Sequence, residues 1–168
     1  TSGDAAVRSY TKRFDGVDLP DCSVSRAEID EAIAAVPNAL QDAIRKAAEN
    51  IRLFHEAQRE APRVIETMPG VQCWRKQTPI EKVGLYIPGG TAPLFSTVLM
   101  LGIPARIAGC REIVLCSPPN REGKLHPATL FASDLVGVTR LYKAGGVQAT
   151  RGMAYGTESI PQVYKIFG

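Results

Sequence analysis

The chain has 168 residues, of which 45% are apolar and 22% charged, with a formal net charge of +3. This is ordinary globular composition, long enough for one domain with a real core or for a smaller domain with a helical segment attached. Lys and Arg are mixed with Asp and Glu throughout, so no basic stripe points to nucleic acid, and the longest apolar region, 92–105, is interrupted by Pro93, Gly102 and Pro104 and falls short of the roughly 18 residues of a membrane span.

The opening Thr1-Ser2-Gly3-Asp4 has neither the basic nor the apolar region of a secretory signal and no initiator methionine, so a trimmed chain is expected. Asp4 is placed to cap a first helix with Val7, Tyr10 and Phe14 on one face, and Gly16 to stop it. Ser25-Arg26-Ala27-Glu28 has capping-box spacing, Ile29 and Ile33 form the apolar stripe of a second helix, and Pro37 closes it. Leu40, Ile44, Ala47, Ile51 and Phe54 recur at helical spacing in a third, with Asp42 and Lys46 as an i,i+4 pair, until Pro62 ends it. The period then changes to two: 64–68 and 71–75 flank Pro69-Gly70 and read as a hairpin.

From Val83 onward, strands alternate with helices. Strands are expected at 83–87, 112–116, 139–142 and 163–167, and helices near 94–108, 126–136 and 147–154, with Pro104 splitting the first of these in two. Alternation of this kind implies crossover connections and a parallel sheet covered on both faces. The reading is an α/β protein in two parts. A helical segment occupies 1–62, and 63–168 holds the hairpin and a parallel sheet that stops at Gly168 directly after a strand, as an incomplete domain would.

Two glycine turns carry the best candidate chemistry. Lys82 to Pro93 runs from a strand through Gly89-Gly90 into a long apolar helix, and Lys143-Ala144-Gly145-Gly146-Val147-Gln148 again leads from strand to helix. Glycines let a ligand approach the main chain, helix N-termini favour negative charge, and open α/β sheets bind ligands at the carboxyl ends of their strands. A dinucleotide pyrophosphate suits such a place, although the spacing is not G-x-G-x-x-G. Tyr86 before the first turn offers a ring and a hydroxyl, and Gln148 after the second offers donor and acceptor atoms. Each reads equally as a plain sheet-end or helix-start residue.

His55 and His126 lie far apart without ligand-spaced neighbours, so neither a metal site nor a catalytic residue is expected within the chain. Cys110 and Cys116 close an apolar helix and a buried strand and read as core residues rather than nucleophiles. With Cys22 and Cys73 they show no CxxC spacing and no secreted framework, and reduced thiols in a cytoplasmic protein are expected.

Four runs stand in a distinctive order: Val83-Gly84-Leu85-Tyr86-Ile87-Pro88-Gly89-Gly90, Pro93-Leu94-Phe95-Ser96-Thr97-Val98-Leu99-Met100, Pro104-Ala105-Arg106-Ile107-Ala108-Gly109-Cys110 and Ala154-Tyr155-Gly156-Thr157-Glu158-Ser159-Ile160-Pro161. Together with Arg13-Phe14-Asp15 and Asn50-Ile51-Arg52-Leu53-Phe54-His55, they resemble the histidinol dehydrogenase family over essentially the whole chain. The resemblance implies the N-terminal portion of such an enzyme, with an incomplete Rossmann-like domain of aldehyde-dehydrogenase type. It further implies a zinc-containing cytoplasmic homodimer of histidine biosynthesis that oxidises L-histidinol to L-histidine through L-histidinaldehyde, using two NAD.

In that family a tyrosine and a glutamine at the positions of Tyr86 and Gln148 contact NAD. The zinc ligands, the acid/base pair and the substrate pocket would lie beyond residue 168, so this chain alone would be inactive. Val147 and Thr150-Arg151-Gly152 depart from the family pattern, and Arg151 either disturbs packing or meets a cofactor phosphate. The alternatives are a zinc and NAD dehydrogenase of another small polyol, such as a sulfonated propanediol, and a non-catalytic nucleotide-binding module.

Overall fold

The computed structural model describes residues 3–89 and 93–168. Three helices come first: α1 (Gly3–Phe14), α2 (Arg26–Ala35) and α3 (Asn38–Glu56). The capping box read from the sequence starts α2, with Ser25 Oγ accepting from the Glu28 N–H and the Glu28 carboxylate accepting from the Ser25 N–H at 2.9 Å. Such a cap typically contributes about 1 kcal/mol. A short antiparallel hairpin follows, β1 (Ile65–Met68) and β2 (Val71–Cys73), turning at Pro69-Gly70 as expected. Then β3 (Lys82–Tyr86), α4 (Phe95–Ala108), β4 (Glu112–Ser117), α5 (Pro127–Val136), β5 (Arg140–Lys143), α6 (Gly146–Tyr155) and β6 (Lys165–Phe167) alternate to the end.

Strands β3 to β6 form one parallel sheet in the order β5-β4-β3-β6. The chain steps from β3 to β4 to β5 in one direction and then returns to the other side of β3. Because crossovers between parallel strands keep one hand, the reversal sends α6 to the opposite face from α4 and α5. Two cores result. On one face Leu99, Ile103 and Phe131 pack over Val83, Leu85 and Ile113, and α2 and α3 close the layer with Ile29 and Ile44. On the other, Ala149 and Met153 of α6 and Val7 of α1 pack over Val114 and Cys116. Residues 22–24 run along the outer edge of β5, where Val24 N–H donates to Leu141 and Lys143 N–H donates to Cys22. An edge covered in this way is shielded from pairing with another chain.

Packing overrides the sequence reading at several helices. Asp4 sits in the first turn of α1 rather than capping it, and accepts from the Ser159 hydroxyl at 3.0 Å. The buried residues of α1 are Val7 and Thr11, whereas Tyr10 and Phe14 stack outside with ring centroids 5.8 Å apart. The smaller pair lets α1 lie close to α6. In α3 the expected stripe holds at Leu40, Ile44, Ala47 and Ile51, with Ala48 buried beside them, and fails at Phe54, which is 65% exposed.

Asp42 pairs with Arg45, and Lys46 with Glu49, in place of the expected Asp42–Lys46 pair. Arg45 is already fixed over the Phe131 ring and bonded to Gln41, which brings it within reach of Asp42. The helix ends at Glu56, ahead of Pro62, because Gln58 and Arg59 N–H groups bond three residues back and tighten the last turn. Pro104 does not split α4, which is continuous. The hydrogen bond it removes belongs to the carbonyl of Met100, a residue 51% exposed, where solvent can serve it.

Helices α4 and α5 approach closely where Gly102 faces Val136, and a methyl group at Gly102 would lie 2.6 Å from Val136 Cγ2. Gly102→Ala is therefore expected to lower the unfolding free energy by roughly 1–3 kcal/mol. Urea denaturation checks this as a shifted midpoint with an unchanged slope.

Candidate functional site

The carboxyl ends of β3, β4 and β5 meet loops whose approach is decided by glycine and proline. Pro118, just after β4, stands between the two glycine turns: a methyl group at Gly89 would lie 2.5 Å from its Cγ, and one at Gly145 would lie 2.6 Å from its Cβ. After β6, a methyl group at Gly168 would lie 2.6 Å from the Tyr86 carbonyl oxygen. Larger residues at these positions would push the loops apart. Strands β3 and β6 are neighbours at the point where the strand order reverses, and such a reversal leaves a crevice at the carboxyl ends that ligands use. Gly90 of the first turn lies outside the described residues, as do Thr91 and Ala92.

Both residues singled out in the sequence converge here. Tyr86 ends β3, and its Oη accepts a 3.0 Å hydrogen bond from the N–H of Gly146, the first residue of α6. Gly146 has φ 51°, a left-handed conformation that favours glycine. The hydroxyl of one motif thus holds the turn of the other. Gln148, 5% exposed, donates from Nε2 to Asp15 Oδ2 at 3.0 Å, across 133 positions of sequence. Its Oε1 is buried and has no partner among the described residues. A buried amide oxygen left unpaired typically costs about 1–3 kcal/mol, so it marks a place that a donor would complete.

Asp15 follows the last turn of α1, where its N–H donates to the Thr11 carbonyl. Burial pushes its carboxyl above the ordinary value, and the bond from Gln148 offsets part of that rise. Sequence reasoning gave Asp15 no role, because its partner is remote in the chain; the Arg13-Phe14-Asp15 run was the available signal. Arg151 is exposed on α6, while the adjacent Gly152 and Met153 face the interior, so the arginine disturbs no core packing.

At the end of β5, the Lys143 ammonium lies 2.8 Å from Glu28 Oε1. Burial pushes the Glu28 carboxyl up, but the bonds from Lys143 and from the Ser25 N–H outweigh it and leave the group below its usual value. The pair ties the capping box of α2 to the strand end beside the second glycine turn. His126 caps α5, its Nδ1 accepting from the Ala128 N–H at 3.1 Å, and His55 Nδ1 lies 3.2 Å from Gln58 Oε1 at the end of α3. Among the described residues, no three His, Cys, Asp or Glu side chains are grouped to hold a metal ion.

An open cleft of about 1120 Å³ lies between the end of α3, the hairpin and the last turn of α4. Its lining residues Pro79 and Ile107 precede β3 and β4. It therefore opens at the amino ends of the strands, away from both glycine turns.

The histidinol dehydrogenase family model matches residues 1–168. The chain belongs to the histidinol dehydrogenase family. Histidinol dehydrogenase of Bacteroides fragilis strain ATCC 25285 is 61% identical over 166 residues, which is 99% of this chain and 39% of that protein. Histidinol dehydrogenase of Xylella fastidiosa strain Temecula1 is 54% identical over 99% of this chain and 38% of its own length. The crystal structure of histidinol dehydrogenase from Elizabethkingia anophelis superposes with a TM-score of 0.96 at 54% identity, covering 98% of this chain and 38% of that one. The chain thus spans about two-fifths of the length of the histidinol dehydrogenases it matches. The α/β fold expected of the histidinol dehydrogenase family is the fold observed.

The cysteines follow their burial. Cys22, Cys110 and Cys116 are buried and Cys73 is exposed. Burial raises the Cys22 and Cys110 thiols and pushes Cys116 up to about 12. A thiol reagent is expected to modify Cys73 in the folded chain and to reach the other three after denaturation, which peptide mapping by mass spectrometry checks.

Proposed function

We propose that the protein containing this chain is an NAD-dependent histidinol dehydrogenase, oxidising L-histidinol to L-histidine by way of L-histidinaldehyde, and that this portion builds part of its NAD site. The observation that carries the reading is the junction at the strand-order reversal. There the Tyr86 hydroxyl holds the Gly146 turn, and the Gln148 amide oxygen is buried without a partner among the described residues. Family membership at 61% identity supports the substrate class.

NAD, when bound, supplies the hydride acceptor. The groups of this chain bind and orient it. Tyr86 presents its ring and hydroxyl, Gln148 offers an acceptor, and the missing side chains of Gly89 and Gly145 let the loops that carry them close on Pro118. The N-terminus of α4, which carries no side-chain cap, favours the negative charge of a pyrophosphate. The orphaned Gln148 oxygen is the feature that fits the cofactor.

The described residues do not group into a ligand set for the implied zinc. Its ligands, the acid/base pair and the histidinol pocket belong, in this reading, to the part of the enzyme beyond residue 168. A cytoplasmic homodimer is part of the same proposal. The hairpin and the residue after it leave Ile65, Met68, Val71 and Trp74 exposed, an apolar surface suited to a subunit interface. No described helix is long and apolar enough to cross a membrane.

Calorimetric titration of NAD into the full-length protein tests the site. Tyr86→Ala and Gln148→Ala are each expected to weaken binding roughly tenfold, about 1.4 kcal/mol. Unchanged affinity would remove both residues from the cofactor site. The isolated 168-residue chain is expected to give no turnover, and steady NADH formation from histidinol would place the chemistry in this segment instead.

A further inference from the structure

Gln148 has two ends, and what it can say to a ligand depends on which end is free. Its amide oxygen and nitrogen have similar shapes, so their orientation follows from the groups they meet. Asp15, as a carboxylate, has acceptors only and must face the nitrogen. That is the arrangement observed: Nε2 donates to Asp15 Oδ2 at 3.0 Å, and Oε1 is left buried without a partner among the described residues. Gln148 is 5% exposed, so its amide has little freedom to turn on its own. Oε1 lies beside the Gly146 turn, 3.4 Å from where a Gly146 methyl group would stand.

The same carboxylate supplies a negative charge next to the start of α6. Its Oδ1 would be 3.3 Å from a methyl group at Gly145, the N-cap residue, which brings no capping side chain of its own. A phosphate arriving at this corner would meet both a like charge and an acceptor oxygen, whereas a neutral hydrogen-bond donor would be welcomed by Oε1. The basic groups next to Asp15 in sequence are engaged elsewhere: Lys12 with Asp18, and Arg13 over the Phe14 ring at 5.3 Å. Burial raises the Asp15 carboxyl without help from a neighbouring charge, so keeping it ionised weakens the fold rather than strengthening it.

We infer that Asp15 is a positioning residue of the NAD site, holding Gln148 Oε1 as a fixed acceptor so that this corner reads a hydrogen-bond donor of the dinucleotide and not its phosphates. The inference rests on the NAD reading above. It assigns a role to the Arg13-Phe14-Asp15 run that the proposed function leaves unused. It also separates the two glycine turns by chemistry, with the pyrophosphate left to the N-terminus of α4.

Asp15→Asn tests it in the full-length protein, with urea unfolding and NAD calorimetry on the same samples. Asparagine keeps an oxygen for Gln148 Nε2 but removes the partly buried charge, so the variant is expected to unfold at the same or higher urea concentration. It also offers an N–H2 to Oε1, which lets the Gln148 amide turn over, so NAD affinity is expected to fall roughly 3- to 10-fold. In the double variant with Gln148→Ala, the Asp15 change is expected to add nothing further, as for residues acting through one another. A structural role would lower stability and affinity together, and that result overturns the inference. Additive losses in the double variant overturn it too. If Gln148→Ala weakens NAD binding while Asp15→Asn leaves it unchanged, the positioning role falls and the NAD site stands. If NAD binds neither wild type nor variant, both readings fall.

Discussion

Strand β3 is hydrogen-bonded on both edges and covered on both faces, and it sets Tyr86 at its carboxyl end. Val83 and Leu85 are each 1% exposed, and burying two such side chains contributes on the order of 3–6 kcal/mol. Gly84, between them, faces the other layer, where a methyl group would lie 2.7 Å from Met153 Sδ. A strand clamped in this way has little freedom to slide or tilt. Tyr86 inherits that rigidity, and through its hydroxyl it passes it to the start of α6.

The N-terminal helices complete the sheet rather than merely preceding it. Helices α2 and α3 close one core, and α1 joins α6 in the other. Polar ties hold α1 near both of its ends: Asp4 accepts from Ser159, and Asp15, just past the helix, accepts from Gln148. These ties reach less exposed partners and fix geometry. Exposed ion pairs such as Arg75–Glu60 are solvated at both ends and contribute little to stability. The Lys143–Glu28 pair is the more enclosed kind, and it joins the first turn of α2 to the end of β5.

The two ends of the sheet are built differently. At the carboxyl end, Pro118 and the glycines around it bring three loops so close that added methyl groups would clash. At the amino end, the hairpin stands away from the body, Trp74 is 61% exposed, and the adjoining cleft is wide and open. The fold keeps the two regions apart by the length of its strands.

Local patterns were enough to place most elements. The alternation after Val83 predicted four strands and three helices close to where they stand, because each strand and helix is bounded by its own glycine, proline or cap. The capping box at Ser25 and the hairpin at Pro69-Gly70 are likewise short-range devices. Tyr86 and Gln148 were legible as motif residues, and family membership followed from the order of the motifs. Periodicity reports that a side chain is covered but not by what, which is why the inward face of α1 and the pairing of Asp42 were misread. Tertiary structure alone decided that Asp15 meets Gln148 across 133 positions and that Lys143 meets Glu28 across 115. Those contacts depend on the strand order, and the strand order depends on which faces the helices cover, a property of the whole chain that no local stretch encodes.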